Sequence, residues 1–567
     1  MQHTTKTQAS FYLTTLTLAL ATLTLGWCNR WVSDDGLIIQ RVVHQILAGN
    51  GPVFNVGERV EVNTSVLWQY VLVAASFMSG LDVSRVVLPI SVACAVAAVV
   101  VACITSRRLF RHDAGVFVPF GMVVFLLPSQ SHDFLTSGLE WSFGYLYLAV
   151  LMYCVVRCVQ DKEPWMLYIV GVICGLSWLV RPEFILYGGV LGLIVLIVAG
   201  REWWKVLGVS VIIPGVYQVF RMGFYGQLVP NTAVAKGAFD PHVGVGVGYV
   251  VSFLNMWLLW VPVVMVVGFG VVLGVRRVVG DGVGVNVGHV VVPMVAVAMI
   301  HVAYIIAIGG DFMAGRMTLF PLFVICAVVS VVPVTSLKQG LCVGVVWAWI
   351  LGCVVADVGY DTSAERQRYL LDGTQIVVDE KDFWQWTSDN NKLHDADAYS
   401  RNIIFEKFDD TVAQGPGVVV QKIGESETIW QNKTVPLYDW YHIPSCGSEF
   451  LTVYAVNLGV TGHRVPLDVR VIDPLGLANP LAARAKIQED FRPGHGRIFP
   501  IPWQVGDSSA CVDDGSNEDL FRQYIAGDEK IVALRESYMG ELTWGKFWDN
   551  VVFAVRGDDV DLSVLQK

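Results

Sequence analysis

Long apolar runs dominate the first two thirds of the chain and predict helices that cross a membrane. A helix needs about 17–25 mostly apolar residues to cross a bilayer, and eleven runs approach that length. They lie near residues 10–27, 86–105, 115–128, 142–157, 164–180, 184–199, 206–222, 246–274, 289–308, 317–336 and 340–356. We therefore expect an all-α membrane domain with about eleven transmembrane helices. No small-residue cleavage site follows the first run, which favours a retained helix over a signal peptide.

The loop after the first run contains two shorter apolar patterns. Residues 38–47 alternate in apolar and polar pairs, which predicts an amphipathic helix lying on the membrane surface. The stretch Val66–Met78 has thirteen residues, which is too few to cross the bilayer. We interpret it as interfacial, because counting it as a span would place Arg107, Arg108 and Arg111 outside, against the positive-inside rule.

Charged residues in the loops predict the orientation of the chain. With the N-terminus inside, eleven of the nineteen basic residues in 1–356 face the cytoplasm. These eleven are Lys6, Arg107, Arg108, Arg111, Arg157, Lys162, Arg201, Lys205, Arg276, Arg277 and Lys338. The prediction is a multi-pass protein of the plasma (inner) membrane with a cytoplasmic N-terminus and an extracytoplasmic C-terminal domain.

Charge divides the chain near residue 356. The 567 residues are 54% hydrophobic with a net charge of −10, yet residues 1–356 hold 19 basic and 15 acidic side chains, whereas residues 357–567 hold 20 and 34. We predict a membrane domain at 1–356 and a soluble domain at 357–567, for which acceptor binding is a candidate role. The acidic excess argues against a nucleic-acid partner, and the apolar content argues against a disordered chain.

Residues 357–567 carry patterns of both strands and helices. Strand-like runs lie at Glu449–Leu458 and Val465–Val471, and helical patterns lie near 361–371 and 517–537. The soluble domain is therefore predicted to be mixed α/β.

Cysteine spacing gives little sign of a cofactor. Nine cysteines lie in or beside apolar segments, where a thiol behaves as a small hydrophobic group. Only Cys446 and Cys511 belong to the C-terminal domain, so one disulfide is expected there in an oxidising compartment, with two buried thiols as the alternative. No metal-ligand spacing or phosphate-binding loop is present. We predict no metal site from the sequence and leave assistance by a divalent metal open.

Five polar clusters lie on the outer side of the predicted membrane domain. Charges at a membrane edge are costly and are usually paired or functional. We predict that these loops converge on one site; the alternative is five solvated loops that never meet. The clusters are Ser33–Gly36, Thr136–Glu140, Arg181–Glu183, Pro230–Thr232 with Lys236, and Gly309–Arg316.

Asp34 and Asp35 are the candidate catalytic residues. Ser33 can cap the helix that they begin, and acidic side chains in a first turn complement the helix dipole. Two carboxylates at an apolar edge also repel each other and lose hydration, which raises one pKa towards the range of a general base. We favour catalysis over capping alone for this pair.

The other loops supply candidate partners. Arg316 suits a phosphate group, with an Asp311–Arg316 ion pair as the structural alternative. Lys236 is a second phosphate-binding candidate or a solvated lysine, and Arg181 is a third or one half of a local ion pair. Glu140 begins a predicted span, where the helix dipole alone explains an acidic residue. Together these groups fit the activation of a hydroxyl beside a lipid-linked phosphate.

The clusters resemble those of the GT-C superfamily of polyprenyl-phosphate-sugar-dependent glycosyltransferases. Within it, the chain is most similar to the terminal β-(1→2)-arabinofuranosyltransferases of mycobacterial and corynebacterial cell-wall arabinan. The long match in the first loop is specific, whereas two adjacent aspartates point only to the superfamily; Ala314 and Trp141 depart from the family pattern. The matching segments are Trp31–Leu37, Leu47–Asn55, Gly57–Glu61, Thr136–Glu140, Val229–Thr232, Gly309–Arg316, Asp473–Arg484 and Arg492–His495.

The resemblance implies a GT-C-type membrane enzyme. Its donor would be decaprenyl-phosphoryl-arabinose, and its acceptor the non-reducing ends of arabinan in arabinogalactan, with lipoarabinomannan as a further candidate. It implies catalysis by Asp34 or Asp35. We further predict donor-phosphate binding by Arg316, Lys236 and Arg181, and substrate binding by Asn231, Thr232, Asn63, Glu61 and His495.

The resemblance also implies retention of the β configuration. Retention through a covalent intermediate needs two carboxyl groups about 5–5.5 Å apart, but neighbours in a helix do not face each other. Either Asp311 or Glu140 then serves as a second carboxylate, or a front-face mechanism needs only one.

Two other functions compete with this prediction. The nearer one is a transferase for another polyprenyl-phosphate sugar. The other is a lipid or sugar transporter, which predicts internal repeats and helices interrupted at mid-membrane. The sequence shows no convincing repeat, and its polar clusters lie at one face, so we favour an enzyme whose partners are a donor lipid, an arabinan acceptor and membrane lipids.

Overall fold

A computed structural model describes residues 2–110, 115–237, 242–280, 285–358, 377–430, 433–487, 494–557 and 560–562. Helices form most of the structure up to residue 358. They are α1 (Gln2–Cys28), α2 (Asp34–Leu47), α3 (Val66–Ser79), α4 (Val83–Leu109), α5 (Gly121–Leu126), α6 (Ser129–Thr136), α7 (Trp141–Asp161), α8 (Pro164–Val180), α9 (Ile185–Ala199), α10 (Trp203–Tyr225), α11 (Asn231–Ala235), α12 (Val243–Met256), α13 (Trp260–Gly280), α14 (Gly288–Ala307), α15 (Leu319–Val328) and α16 (Leu337–Val355).

Six stretches of the described chain are long and apolar enough to cross a membrane, or seven if α12 and α13, which meet at 98°, count as one broken span. The chain is therefore a multi-pass membrane protein, but the expected count of eleven spans is not confirmed. The longest stretch contains both α9 and α10. Gly200 (φ +54°) interrupts the helical chain between them. The six are Lys6–Cys28, Val83–Leu109, Trp141–Asp161, Pro182–Tyr225, Gly288–Ala307 and Leu337–Val355.

Two of the predicted spans are shorter in the structure because part of each is a strand. Residues 115–128 form β1 (Val116–Pro119) and the short α5, and residues 317–336 form α15 and β2 (Val331–Val334). The two strands pair antiparallel, as β-branched valines favour. Hydroxyl groups of α1 hold β1 as well, since Thr14 donates to the Phe117 carbonyl over 2.9 Å.

The region after residue 376 is mixed α/β, as predicted. The sheet has the order β4–β3–β5–β6, with β3 and β4 antiparallel and the other two pairs parallel. The strands are β3 (Gly417–Trp430), β4 (Lys433–Pro444), β5 (Leu451–Tyr454) and β6 (Arg470–Ile472), and the helices are α17 (Glu380–Ser388), α18 (Phe408–Val412), α19 (Leu458–Arg464), α20 (Ile501–Gly506), α21 (Asn517–Gly527), α22 (Glu529–Tyr538) and α23 (Trp544–Arg556).

The predicted elements of this region are only partly in place. The run Glu449–Leu458 contains β5, whereas in Val465–Val471 only the last two residues belong to a strand. The pattern near 517–537 forms α21 and α22. The pattern near 361–371 lies outside the described residues.

The first loop joins the membrane body to the C-terminal region. Asn55 exchanges two hydrogen bonds with the main chain of Val471, at 2.8 and 2.9 Å. Arg41 donates to the carbonyls of Gly462 and Val469. The amphipathic helix expected at 38–47 is present as α2. The prediction that its polar face lies in water at the membrane surface is wrong. Gln40, Arg41 and Gln45 are buried, because α19 packs on α2.

Candidate active site

The N-terminus of α2 carries Asp34 and Asp35, and a neighbouring loop fixes its position. Ser33 caps the helix by accepting a hydrogen bond from the Gly36 amide, and its own amide and hydroxyl both donate to the Ser137 carbonyl, at 2.8 and 3.0 Å. A Cβ atom on Gly36 would lie 2.4 Å from that carbonyl oxygen. Close backbone approach therefore requires glycine here and holds the two aspartates against the Thr136–Glu140 cluster.

Asp34 is enclosed by the C-terminal region. Its side chain is only 7% exposed, and its Oδ1 accepts a hydrogen bond of 2.7 Å from the Val460 amide in α19. Burial raises the pKa of Asp34 to about 7, and the charges of Asp35 and Asp473 add to the shift, although the amides of Val460 and Gly459 oppose it. Asp34 is thus a carboxyl group with a raised pKa that is enclosed in a protein contact.

Asp35 has the opposite surroundings. Its side chain is 25% exposed, and its Oδ2 accepts a hydrogen bond of 2.9 Å from Nη1 of Arg316. Burial works against ionisation of Asp35, but Arg316, Lys236 and His495 together outweigh it, so the pKa of Asp35 lies below its ordinary value. Asp35 is therefore an ionised carboxylate with accessible surface.

Arg316 links three of the predicted clusters. Its Nε donates to Asp311, which also accepts from the Phe312 amide at 2.9 Å. Its guanidinium lies 5.5 Å from the centre of the Trp141 ring, and the Trp141 indole N–H donates to the Arg316 carbonyl over 3.1 Å. Arg316 thus brings together the Ser33–Gly36 and Gly309–Arg316 clusters and Trp141, which follows the Thr136–Glu140 cluster. The Asp311–Arg316 pair that was the structural alternative is present, and a single site formed by all five loops stays a prediction.

Arg181 and Glu140 form a separate buried network. Arg181 donates to both Glu140 and Glu183, and its guanidinium lies 4.7 Å from the centre of the Trp141 ring. All three charged side chains are almost fully buried. The geometry favours the structural ion pair for Arg181, which leaves Arg316 and Lys236 as the cations beside Asp35.

Lys236 is the exposed cation of this centre. The carbons of its side chain pack near Gly494, where an added Cβ atom would lie 3.5 Å from Cγ and Cδ of Lys236. The surrounding protein and the charge of Arg316 lower the pKa of Lys236, against the opposing effect of Asp35 and Asp311. His495, the residue after Gly494, stands edge-on to Phe312 with the ring centres 4.5 Å apart, so this C-terminal segment closes one side of the centre.

The other predicted substrate-binding residues have protein partners. Asn231 donates to the carbonyls of Gly476 and Leu477, at 2.7 and 3.0 Å. Glu61 accepts from Arg221 at 2.6 Å and from Tyr217 at 2.7 Å. These side chains therefore join the body to the C-terminal region or stabilise the first loop.

Two predicted residues keep an unused polar atom. Asn63 donates to Gln69 over 2.5 Å, but its Oδ1 is buried with no hydrogen-bond partner among the described residues. The buried hydroxyl of Thr232 is in the same situation. Thr232 lies one turn before Lys236 on the same short helix, so it is the better placed of the two to contact a ligand near that lysine.

Glu380 is a third acidic group of the centre, and no feature of the sequence indicated it. Main-chain bonds between Val378 and the 312–314 segment, at 2.7 and 2.8 Å, bring the start of α17 beside the Arg316 loop. Glu380 is buried and accepts one hydrogen bond of 3.2 Å from Trp384, while its Oε2 has no partner among the described residues. Burial and the charge of Asp35 raise the pKa of Glu380 well above its ordinary value.

The signal that could have found Glu380 is weak. It follows Asp379, whose carboxylate caps α17 by accepting from the Asp382 amide, so both acidic residues look like ordinary first-turn residues of a surface helix. Only the pairing of two segments more than 60 positions apart places one of them beside Arg316.

Two further features concern metal ligands and cysteines. Within the described ranges, no three His, Cys, Asp or Glu side chains are grouped so that they could hold a metal ion. Cys446 and Cys511 form a disulfide with their Cα atoms 5.0 Å apart.

Comparison with known proteins identifies relatives along nearly the whole chain. Residues 404–564 match the AftB family C-terminal domain. The chain is 32% identical to the terminal beta-(1->2)-arabinofuranosyltransferase of Corynebacterium glutamicum, in an alignment that covers 96% of this chain and 85% of that protein. It is 33% identical to the protein of the same name from Mycobacterium tuberculosis, over 85% of this chain and 83% of the relative. No solved structure matches the chain.

Proposed function

We propose that this chain, which belongs to the terminal β-(1→2)-arabinofuranosyltransferase family, transfers arabinofuranosyl groups from decaprenyl-phosphoryl-arabinose to the non-reducing ends of cell-wall arabinan. The acceptor is arabinan of arabinogalactan, with lipoarabinomannan as a second acceptor. Membership of this family is the observation that supports the arabinofuranosyltransferase activity. The observation that supports the donor is the centre itself, where the accessible carboxylate of Asp35 lies against Arg316 and near Lys236. A cation pair beside one carboxylate suits a sugar phosphate.

In this proposal Asp35, rather than Asp34, is the reacting carboxylate. The pKa of Asp34 suits a general base, but geometry takes precedence over pKa, and Asp34 is closed off by α19. Asp35 accepts the proton of the acceptor hydroxyl while the hydroxyl oxygen of the acceptor bonds to the anomeric carbon of the donor. The bond from that carbon to the phosphate oxygen breaks, and its electron pair stays on the phosphate, whose negative charge Lys236 and Arg316 stabilise.

The two candidate second carboxylates are both paired and buried. Asp311 accepts from Arg316 and Glu140 from Arg181, and their side chains are 8% and 4% exposed, compared with 25% for Asp35. We therefore favour the front-face mechanism with one reacting carboxylate. Asp311 then positions Arg316, and Glu140 positions the loop around Trp141.

We also propose that the N-terminus is cytoplasmic and that residues 377–562 lie outside. The disulfide Cys446–Cys511 supports this orientation, because disulfides persist in oxidising compartments. In intact cells, a membrane-impermeant reductant followed by an impermeant maleimide should label these two cysteines. Labelling only after the membrane is permeabilised would reverse the orientation.

The function is tested with purified protein, synthetic prenyl-phosphoryl-arabinofuranose and an oligo-arabinofuranoside acceptor. The expected product carries one additional β-(1→2)-linked arabinofuranose. Prenyl-phosphoryl-mannose is the matched donor control, and the Asp35→Asn variant controls for contaminating transferases. Transfer from the mannose donor at an equal rate, or no product from arabinose, would contradict the donor assignment.

A further inference from the structure

The helix α23 (Trp544–Arg556) presents an apolar stripe that is largely exposed in the described part of the protein. Trp544, Trp548, Val552 and Val555 are 79%, 55%, 48% and 67% exposed. Their spacing of four, four and three residues places them on one face of the helix. Exposed apolar residues scattered singly are normal, whereas a continuous stripe with two tryptophans marks an interaction surface.

The opposite face of α23 is fixed to the end of the membrane helix α10. The Phe547 ring packs so closely on Gly223 that a Cβ atom there would lie 2.2 Å from the ring carbons. Asn550 is buried and donates to the carbonyls of Gly223 and Ser537, at 3.0 and 2.8 Å. The helix therefore cannot turn its apolar stripe inward without breaking this contact.

The helix α10, on which α23 packs, also has exposed apolar side chains. Val211, Val216 and Val219 are exposed on that helix, and Val219 lies one turn before Gly223. Because α10 is part of a stretch that can cross a membrane, its exposed valines face lipid. The helix α23 thus crosses α10 where this lipid-facing surface ends.

The spacing of tryptophans matches the thickness of a membrane. Trp203 and Trp204 are exposed at the start of α10, and Gly223, which contacts α23, follows twenty positions later. At 1.5 Å per residue the separation is about 30 Å, which equals the hydrocarbon thickness of a bilayer. Tryptophans favour the two membrane–water interfaces, so the pairs 203/204 and 544/548 occupy opposite interfaces.

We propose that α23 lies in the membrane interface at the active-site end of the protein, with Trp544, Trp548, Val552 and Val555 inserted among the lipids. The polar side chains Asp549 and Arg556 remain at the headgroup and water side, as in an amphipathic interfacial helix. The contact anchors the C-terminal region to the bilayer at a fixed height. It thereby holds α19, His495 and Glu380 level with the carboxylates of α2.

Fluorescence quenching in lipid nanodiscs tests the proposal independently of activity. The full chain is reconstituted in phosphatidylcholine, with or without lipid brominated at acyl carbons 6 and 7, and compared with the Trp544→Phe/Trp548→Phe double variant. The difference in fluorescence between the unmodified chain and the variant reports on Trp544 and Trp548. This difference should fall by more than about half in brominated lipid and change little with aqueous iodide, as expected of interfacial side chains.

Two matched variants calibrate the measurement. Trp203→Phe/Trp204→Phe should remove a signal that brominated lipid also quenches, and Trp440→Phe should remove one that neither quencher reaches, because Trp440 is buried. Quenching of the 544/548 signal by iodide alone would overturn the proposal in favour of a solvated helix. Protection from both quenchers in particles that hold two chains would overturn it in favour of a contact between copies.

Discussion

The membrane body and the C-terminal region meet at two adjacent aspartates and give them opposite surroundings. The body gives Asp35 an arginine partner and leaves part of its carboxylate accessible. The C-terminal region covers Asp34 and supplies it with main-chain amides. Two identical side chains, one residue apart, thus differ in pKa direction because one faces cations and the other faces a protein contact. The comparison teaches that the body provides charge and the C-terminal region provides enclosure.

Exchange of each aspartate for asparagine is the most direct test of the difference between them. Asp35→Asn should lower kcat by about 10³-fold, because a reacting carboxylate is lost. Asp34→Asn keeps an acceptor for the Val460 amide, so its kcat should fall by only about tenfold. Initial rates with the arabinofuranose donor measure both effects.

The pH dependence of stability separates the two aspartates further. The pKa of Asp34 is raised to about 7, so its contribution to stability is complete in acid and is lost as pH rises through about 7. Asp34→Asn cannot ionise and should remove that part of the loss, which thermal unfolding at pH 5.5 and 8.5 can detect. Equal, complete inactivation by Asp34→Asn and Asp35→Asn would contradict the assignment of Asp35 alone as the reacting carboxylate.

The enclosure by the C-terminal region is tested at Gly459. A Cβ atom there would lie 1.8 Å from the carbonyl oxygen of Asp34, so Gly459→Ala should force α19 away from α2. Overpacking of this kind costs about 1–3 kcal/mol of folding stability. Separately, kcat should fall by up to about 10²-fold, because a shifted α19 misplaces the start of α2. Gly527→Ala, where nothing lies within 4 Å of an added Cβ atom, is the matched control. Equal activity of the two variants would show that α19 does not shape the site.

The charge supplied by the body is tested at Lys236. Lys236→Ala removes one charged contact to the donor phosphate and should raise the donor KM roughly tenfold to a hundredfold, with a smaller effect on the acceptor KM. Lys338→Ala, a change of another exposed lysine, is the control. A KM effect confined to the acceptor would move Lys236 out of the donor site.

The smallest effect is expected at Glu380, where the C-terminal region adds a buried acidic group to the centre. Burial and the charge of Asp35 raise its pKa, which favours the protonated form, and glutamine imitates that form. Glu380→Gln should therefore keep kcat within about threefold at pH 7. Ionisation of Glu380 destabilises the wild type as pH rises through the raised pKa, so the variant should gain thermal stability over the wild type as pH increases. A loss of activity at all pH values would instead assign Glu380 a role in proton transfer.

Much of the body could be predicted because its chemistry is local in sequence. Apolar length predicts helices in a bilayer, and costly charges at a membrane edge indicate a site before any contact is known. Those arguments found Asp34, Asp35, Arg316 and Lys236. They failed for residues 115–128 and 317–336, because apolar length alone cannot tell a span from a short helix joined to a buried strand.

The amino-acid sequence by itself determined the class of protein, the family, and the residue types that supply charge at the site. The tertiary structure decided the role of each charge, because a role depends on which groups face it across the chain. Asp34 differs from Asp35 through residues about 200 to 460 positions away, namely Lys236, Arg316, Val460 and His495. Glu380 joined the centre through a main-chain pairing that no local pattern encodes. Burial and partnership are properties of the folded chain, and they set the pKa and the exposure on which the chemistry depends.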